Sequence, residues 1–475
     1  MKEGYIPKEQ RKNILLLTDD IRFPSGVGNV GKEIVINTSH RYNWYNVGAA
    51  IKHPDKGKII DISQDINKEA GIEDASVFIQ PNDGYGDPQL IRGLLDQRNI
   101  DAIFLITDPR YFAWLFQIEN EVRTKIPIIY LNIWDDYPAP LYNKGFYESV
   151  DTLLGISKQT VNINKLVLGD KAKSKIIDYV PHGMNTKYFY PITKPNTEFE
   201  SFKNNMGIDN KDFVLFFNSR NIGRKKIPDT LLAWKYFLDR LPKSKADKCV
   251  FILHTELSSQ AGTDLLEVTN MIFGENTPYV KFSTQKLSVS QLNYLYNVAD
   301  AQILLTSNEG WGLSLTEALL TGTPIIANVT GGMQDQMRFE SNNGKWINFN
   351  KSFPSNHTGK YKNCGDWAFP VFPVARTLKG SPPTPYIWDD VCRAEDAAER
   401  IMELYEMGSK ERKRRGMEGY KWATGEEAGF TGEIMGKRII KNIDKTFNQF
   451  QPREKFEFIN ANEYQVDTTP HKFLY

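Results

Sequence analysis

The stretch SNEGWGLSLTEALLTGTPIIA, residues 307–327, decides the reading of this chain. It follows a short apolar run, 301–306, that reads as a buried strand. The strand opens into a loop carrying Glu309, then Gly310, Trp311 and Gly312. A helix is expected to begin near Ser314, a good N-cap residue. Glu317, three positions on, would complete a capping box. The same geometry suits a ligand. Two glycines let the backbone approach a bound group, and a helix N-terminus offers N–H donors and a positive dipole end to a phosphate. A carboxylate at Glu317 can grip ribose hydroxyls, and the earlier loop carboxylate, Glu309, can face a sugar. Sequence alone leaves Glu317 with both roles, cap and ligand.

Outward from this block, short β-rich runs recur at helix-length intervals. They lie at 14–18, 58–62, 76–80, 102–107, 127–133, 152–156 and 175–180, then at 213–219, 249–254, 279–283, 301–306 and 324–328. The runs are near-continuous in Val, Ile, Leu and Phe rather than alternating, as strands covered on both faces are. They predict an α/β chain of two doubly wound parallel sheets, Rossmann-like, facing across a cleft that takes ligands at the carboxyl ends of the strands. PITKPNTEFE, 191–200, is poor in apolar residues and carries two prolines, so the break is placed there. The expected domains are 1–190 and 191–428, with a helix and tail at 429–475 packing back on the first. Residues 340–390 break the rhythm and read as a long aromatic- and proline-rich insertion beside the cleft. The basic run KERKRR, 410–415, reads as a solvated helix face.

Two further segments bring charge or backbone donors to strand ends. In FFNSRNIGRKKIPD, 216–229, Arg220, Arg224, Lys225 and Lys226 follow a buried strand, and Pro228 suits the first turn of a helix. Such cations would neutralise a diphosphate, Arg by a forked contact and Lys as a point charge. A solvated basic turn explains them equally well. In SGVGNVGKE, 25–33, Gly26, Gly28 and Gly31 match G-x-G-x-x-G, but residues 19–25 separate them from the strand. Gly26, Gly31 and Lys32 match a P-loop, but Glu33 stands where Ser or Thr must hold magnesium. What survives is a glycine turn into a helix, able to approach an anion or merely tight.

The chain resembles the retaining GT-B glycosyltransferases of the group-1 (family 4) type. The resemblance rests on Glu309 and Glu317 in the E-x7-E block, on YLYNVADAQILLTSNEG before it and NVTGGMQDQ after it, on Arg220 followed by Lys225, and on VPHGMNTKYFYP at 180–191. It covers about 13–35 and 150–335. By this resemblance Arg220 and Lys225 bind the donor diphosphate and Glu317 the nucleotide ribose. Glu309 binds the transferred sugar and distal phosphate, together with backbone from Gly310 through Trp311, Gly312 and Leu313 to Ser314. Gly26 and Gly28 close on the diphosphate, and Lys286 lies where the family contacts the base. The first domain is then the acceptor side and the second the donor domain. The family often places a His near the sugar. Here NIWDDYP, 132–138, stands in that region, so Asp135 and Asp136 are acceptor-side candidates, with a surface turn as the alternative. The implied donor is a UDP- or GDP-linked sugar, with no separate cofactor.

Composition bounds the rest. Across 475 residues, 40% hydrophobic and 25% charged is ordinary for globular chains, and excludes disordered, collagen-like or coiled-coil ones. A formal net charge of +1 excludes a global basic field for nucleic acid or anionic membrane. The three cysteines lie far apart, which fits neither a disulfide scaffold nor a zinc module. There is no Asp-x-Asp, so a metal-independent reaction is expected. The polar N-terminus and the lack of a membrane-length apolar run predict a soluble cytoplasmic protein. Acceptors left open are a glycan, lipid, protein, small molecule or modified DNA base, the last because 151–195 is lysine-rich. Peripheral membrane contact is also left open. The rival readings are a non-catalytic sugar-nucleotide-binding protein, or another nucleotide enzyme using the loop from Gly26 to Lys32.

Overall fold

The computed structural model describes residues 2–50, 52–350 and 359–454. The chain divides into two compact units. The first holds the chain up to Gly183, Asn350 and the segment from Gly432. The second takes Met184–Phe349 and continues to Thr431. The division thus falls ahead of the expected linker at 191–200.

The first unit is built on β1 (Lys12–Asp19), β2 (Tyr42–Ala49), β3 (Ile60–Asp61), β4 (Val77–Asn82), β5 (Ala102–Ile106), β6 (Ile128–Asn132), β7 (Thr152–Gly155) and β8 (Ile176–Tyr179). They form one sheet in the order β3-β4-β2-β1-β5-β6-β7-β8, parallel except for the β3–β4 pair. Ile14 to Leu17 and Ala102 to Ile106 are fully buried, as continuous aliphatic runs require. Strand β2, YNWYNVGA, was not expected from the sequence. Its aromatics replace aliphatics, and its asparagines resemble turn residues. Yet Asn46 is fully buried, donating to the Leu16 carbonyl at 3.2 Å and accepting from Ile21 N–H at 3.3 Å. The Gly432–Gln449 helix belongs to this unit. Asp444 accepts from Tyr42 Oη at 2.6 Å and pairs with Arg41 at 2.8 Å. Residues 455–475, the rest of the expected tail, lie outside the described residues.

The second unit uses β9 (Phe213–Asn218), β10 (Cys249–His254), β11 (Val280–Ser283), β12 (Ala301–Leu304), β13 (Ile325–Asn328) and β14 (Ala368–Val371). All pair in parallel in the order β11-β10-β9-β12-β13-β14. The chain runs outward from β9 to β11, returns to β12 and runs outward the other way. The order therefore reverses between β9 and β12, and their carboxyl ends frame a crevice of the kind that takes ligands.

Two expectations need correction. The 340–390 segment is not an irregular excursion throughout. Ala368–Val371 is the edge strand of the sheet, and β15 (Ala375–Ser381) and β16 (Thr384–Val391) form an antiparallel hairpin. Pro370 disguised β14, since proline suits an edge strand but argues against an inner one. Residues 351–358 of that segment lie outside the described residues. Nor is the run 410–415 wholly solvated. Arg412 is 3% exposed, and its guanidinium pairs with Asp300 at 2.8 Å. It also donates to the carbonyls of Leu404, Tyr405 and Asp212, and lies 5.0 Å over the Phe213 ring.

Arg412→Ala would leave the largely buried Asp300 without its cation. The expected loss is roughly 3–5 kcal/mol of unfolding free energy, read from urea denaturation. Lys413→Ala, on the exposed neighbour, is expected to stay within about 0.5 kcal/mol.

Candidate functional site

At the carboxyl end of β9 the chain makes a tight turn. Gly223–Lys225 forms a short 3-10 helix, Lys226 takes a left-handed conformation with φ 52, and the Ile227–Leu238 helix starts with proline in its first turn. The turn is tied to the loop after β12. Ser307 N–H and Thr306 Oγ1 donate to the Arg224 carbonyl at 2.8 and 3.0 Å. In return Arg224 Nη1 donates to the Asn308 carbonyl at 2.7 Å. The two loops on either side of the order reversal are thus one bonded assembly.

Glu309 lies within that assembly. Its Oε2 accepts from Arg224 Nη1 at 2.8 Å and from Lys225 Nζ. Burial alone would raise its pKa, but the Arg224 and Lys225 charges outweigh it and hold the carboxyl at about 2. Glu309 is therefore ionised across the working pH range. The sequence reading paired Arg220 with Lys225. Arg220 is instead exposed and its side chain makes no hydrogen bond or ion pair among the described residues, while Arg224 joins the cluster. Adjacent cations in one turn gave no signal of which would bend inward.

The Leu313–Leu320 helix begins after Gly312, whose φ of 88 is a conformation that glycine alone adopts without strain. Ser314 is inside the helix, and no side chain caps its start, so the expected capping box is absent. In the first turn Leu315 N–H donates to the Gly312 carbonyl at 3.0 Å, while the N–H groups of Leu313 and Ser314 have no intrahelical acceptor. Glu317 turns elsewhere. Its Oε2 accepts from the Tyr296 hydroxyl and from Asn218 Nδ2 at 3.3 Å. Burial pushes its carboxyl up to about 7, against those two bonds, which lower it.

The turn that carries Gly310, Trp311 and Gly312 is held from behind. Trp311 is buried, its indole donating to Thr316 Oγ1 at 2.9 Å and packing edge-on against Phe430. Gln336 Nε2 donates to the Trp311 carbonyl at 2.6 Å and to the Gly312 carbonyl at 3.2 Å. Gly332 N–H donates to the Glu309 carbonyl at 3.0 Å, and a Cβ there would strike the Gly310 oxygen at 2.1 Å. Neither Gln336 nor Gly332 was singled out from the sequence, although both sit in or beside the quoted NVTGGMQDQ. Lys286 is exposed in the loop after β11, and no contact joins it to the cluster among the described residues.

The first unit holds the other candidates. Gly26 is exposed at the start of the Gly26–Thr38 helix, and Gly28 is buried. Gly28 N–H donates to Ser25 Oγ at 2.9 Å, so it is occupied by the cap rather than free for an anion. A Cβ at Gly28 would meet the Phe23 carbonyl at 2.9 Å. This glycine is required by the turn itself. Asp136 is fully buried and accepts from Gln159 Nε2 and Tyr137 N–H, both at 2.7 Å, which is a structural placement. Asp135 is half-buried. Thr107, at the carboxyl end of β5, has φ 108, a strained conformation for a β-branched residue. It borders the order reversal between β1 and β5 and had no sequence signal.

Residues 198–352 match the family model described as glycosyl transferases group 1. An alpha-monoglucosyldiacylglycerol synthase of Acholeplasma laidlawii is 24% identical over 172 residues, 36% of this chain and 40% of that protein. A D-inositol 3-phosphate glycosyltransferase of Corynebacterium jeikeium is 30% identical over 189 residues, 39% of this chain and 43% of that one. The chain thus spans less than half the length of these curated relatives. Among solved structures, Anabaena Alr3699/HepE in complex with UDP and glucose superposes with a TM-score of 0.62 at 13% identity, covering 92% of this chain and 100% of the other. That likeness is one of fold.

Glu317 gives a pH-dependent expectation. A buried carboxyl with a raised pKa binds more protons folded than unfolded between about 4.5 and 7, so its contribution to stability falls as pH rises through that window. Glu317→Gln, read by thermal unfolding at pH 5 and pH 8, is expected to remove that fall. At pH 8 the empty variant should melt no lower than wild type. A variant melting lower at both pH values would show that the carboxylate itself holds the helix.

Proposed function

We propose that this chain, of GT-B fold and with residues 198–352 matching the group-1 glycosyl transferase model, moves a sugar from a nucleoside diphosphate sugar to an acceptor hydroxyl with retention at the anomeric carbon. The observation that carries this reading is the cluster of Arg224, Lys225 and Glu309 at the order reversal, beside an uncapped helix start. Cations aimed at one point suit a leaving diphosphate, on which negative charge grows as the glycosidic bond breaks.

In this reading Arg224 and Lys225 turn from Glu309 to the diphosphate, and the Leu313–Leu320 helix N-terminus meets its distal phosphate. Released from the cations, the Glu309 carboxylate accepts from sugar hydroxyls. Glu317 takes the ribose hydroxyls, exchanging protein donors for ligand donors at little desolvation cost. The acceptor oxygen bonds to the anomeric carbon on the face that the diphosphate leaves. The bond from that carbon to the phosphate oxygen breaks, and the acceptor proton passes to the departing diphosphate. No protein nucleophile enters. The Anabaena protein was solved in complex with UDP and glucose, which favours a uridine donor for the first trial. The two curated relatives are named for different acceptors, a lipid and an inositol phosphate, and this chain's acceptor is left open between those classes. Among the described residues no helix is long and apolar enough to cross a membrane.

Thermal unfolding with UDP-glucose, GDP-mannose and NAD tests the reading. A bound sugar nucleotide at 100 times its Kd should stabilise by about 2.7 kcal/mol. UDP release from the bound donor should persist in EDTA, because the diphosphate charge is met by side-chain cations. Lys225→Ala should weaken UDP binding about tenfold or more, the equivalent of one charge-assisted hydrogen bond. Stabilisation by NAD alone, or activity that EDTA abolishes and magnesium restores, would contradict the proposal.

A further inference from the structure

The β15–β16 hairpin grows from the edge of the second sheet and ends against the loop that carries Glu309. Three links join them. Asp390 N–H donates to the Ser307 carbonyl at 2.8 Å. Asp389 Oδ1 accepts from Asn308 Nδ2 at 2.6 Å. Asn328 Nδ2 bridges the Thr306 and Asp390 carbonyls at 3.0 and 2.9 Å. The hairpin end is itself fixed. Asp389 and Asp390 are 2% and 0% exposed. Asp390 accepts from Arg376 Nε at 3.0 Å and from Thr330 Oγ1 at 2.8 Å, and Asp389 pairs with Lys379. Two adjacent carboxylates are therefore buried, each with a cation from the facing strand. A hairpin packed only for stability needs no buried charge, since apolar residues of similar size are often as stable there.

We propose that this hairpin is a positioning element for the transfer site, in which Asp389 and Asp390 fix residues 306–309 so that Glu309 stands at the sugar while Arg224 and Lys225 hold the diphosphate. The proposal rests on the glycosyl-transfer reading above. Its chemistry follows from the bonds. Asn308 is held on one side by Asp389 and on the other by Arg224, which donates to the Asn308 carbonyl at 2.7 Å. Releasing Asn308 frees the residue next to Glu309 without removing either cation. Asp389 and Asp390 touch no substrate; they act through Asn308 and Ser307. The exposed outer strand, Ala375–Ser381, supplies the cations that pair with both carboxylates.

Hydrogen exchange and steady-state kinetics on the full chain test this together. Asp389→Leu removes the acceptor for Asn308, Asn308→Ala removes the donor, and Asp389→Asn keeps an acceptor oxygen in place. Amides of 306–312 should exchange about tenfold or more faster in the first two variants and near the wild-type rate in Asp389→Asn, while β9 amides stay unchanged. With UDP-glucose as the probe and water as acceptor, kcat for UDP release should fall about tenfold in Asp389→Leu and Asn308→Ala, with the Kd for UDP held within about threefold. Asp389→Asn should keep at least about half of the wild-type kcat. Unchanged exchange in 306–312 would overturn the tether, whatever the donor. Faster exchange with unchanged kcat, or equal losses in kcat and UDP affinity, would overturn the positioning role. A wild-type protein that neither binds nor cleaves a sugar nucleotide would sink the transferase reading instead, with the exchange result still deciding the tether.

Discussion

A carboxylate buried between a guanidinium and an ammonium is the constraint on which the second unit's site depends. Arg224 and Lys225 are neighbours in one turn, and two like charges held that close repel each other unless an anion lies between them. Glu309 supplies that anion in the empty protein, ionised well below neutral pH. A buried ion pair of this kind is poor evidence for stability, because desolvating three charges offsets much of their attraction. It is better explained by readiness. In the glycosyl-transfer reading Arg224 and Lys225 turn from Glu309 to an entering diphosphate, and the two cations are already gathered at one point before charge develops on the leaving group.

The fold makes that cluster available. β9 and β12 are neighbours although β10 and β11 intervene in sequence, so their following loops start side by side and diverge. The Arg224 carbonyl, gripped by Ser307 and Thr306, then locks the register of one loop on the other. Behind them Gln336 and Gly332 fix the backbone of residues 309–312 from the next strand's loop. Each contact is local. Together they leave the helix start at Leu313 open while everything around it is bonded.

Much of this was legible in the sequence because it depends on residue type and spacing. Continuous aliphatic runs marked twelve strands of the two large sheets to within a few residues, and Gly312, Glu309 and Glu317 stood out by their pattern. What was illegible depends on direction. Nothing in SRNIGRKK says that Arg224 turns inward and Arg220 outward, because both follow the same strand. Glu317 matched a capping box by spacing, yet Tyr296 and Asn218, from other elements, draw its carboxylate away. β2 hid behind asparagines that are satisfied only by tertiary contacts, β14 behind a proline that its edge position tolerates. The buried Arg412 looked like its solvated neighbours, since only packing against Asp300 and Phe213 distinguishes it.

Calorimetric titration of uridine, UMP and UDP into the wild-type chain and into Arg224→Ala tests the central claim most directly, because the claim is that this cluster is a diphosphate site. Affinity should rise in steps along the series, with UDP at least about tenfold tighter than UMP in wild type and that last step reduced in the variant. Equal affinity for UMP and UDP, or a UDP step untouched by losing Arg224, would mean that the cations serve Glu309 and the fold alone.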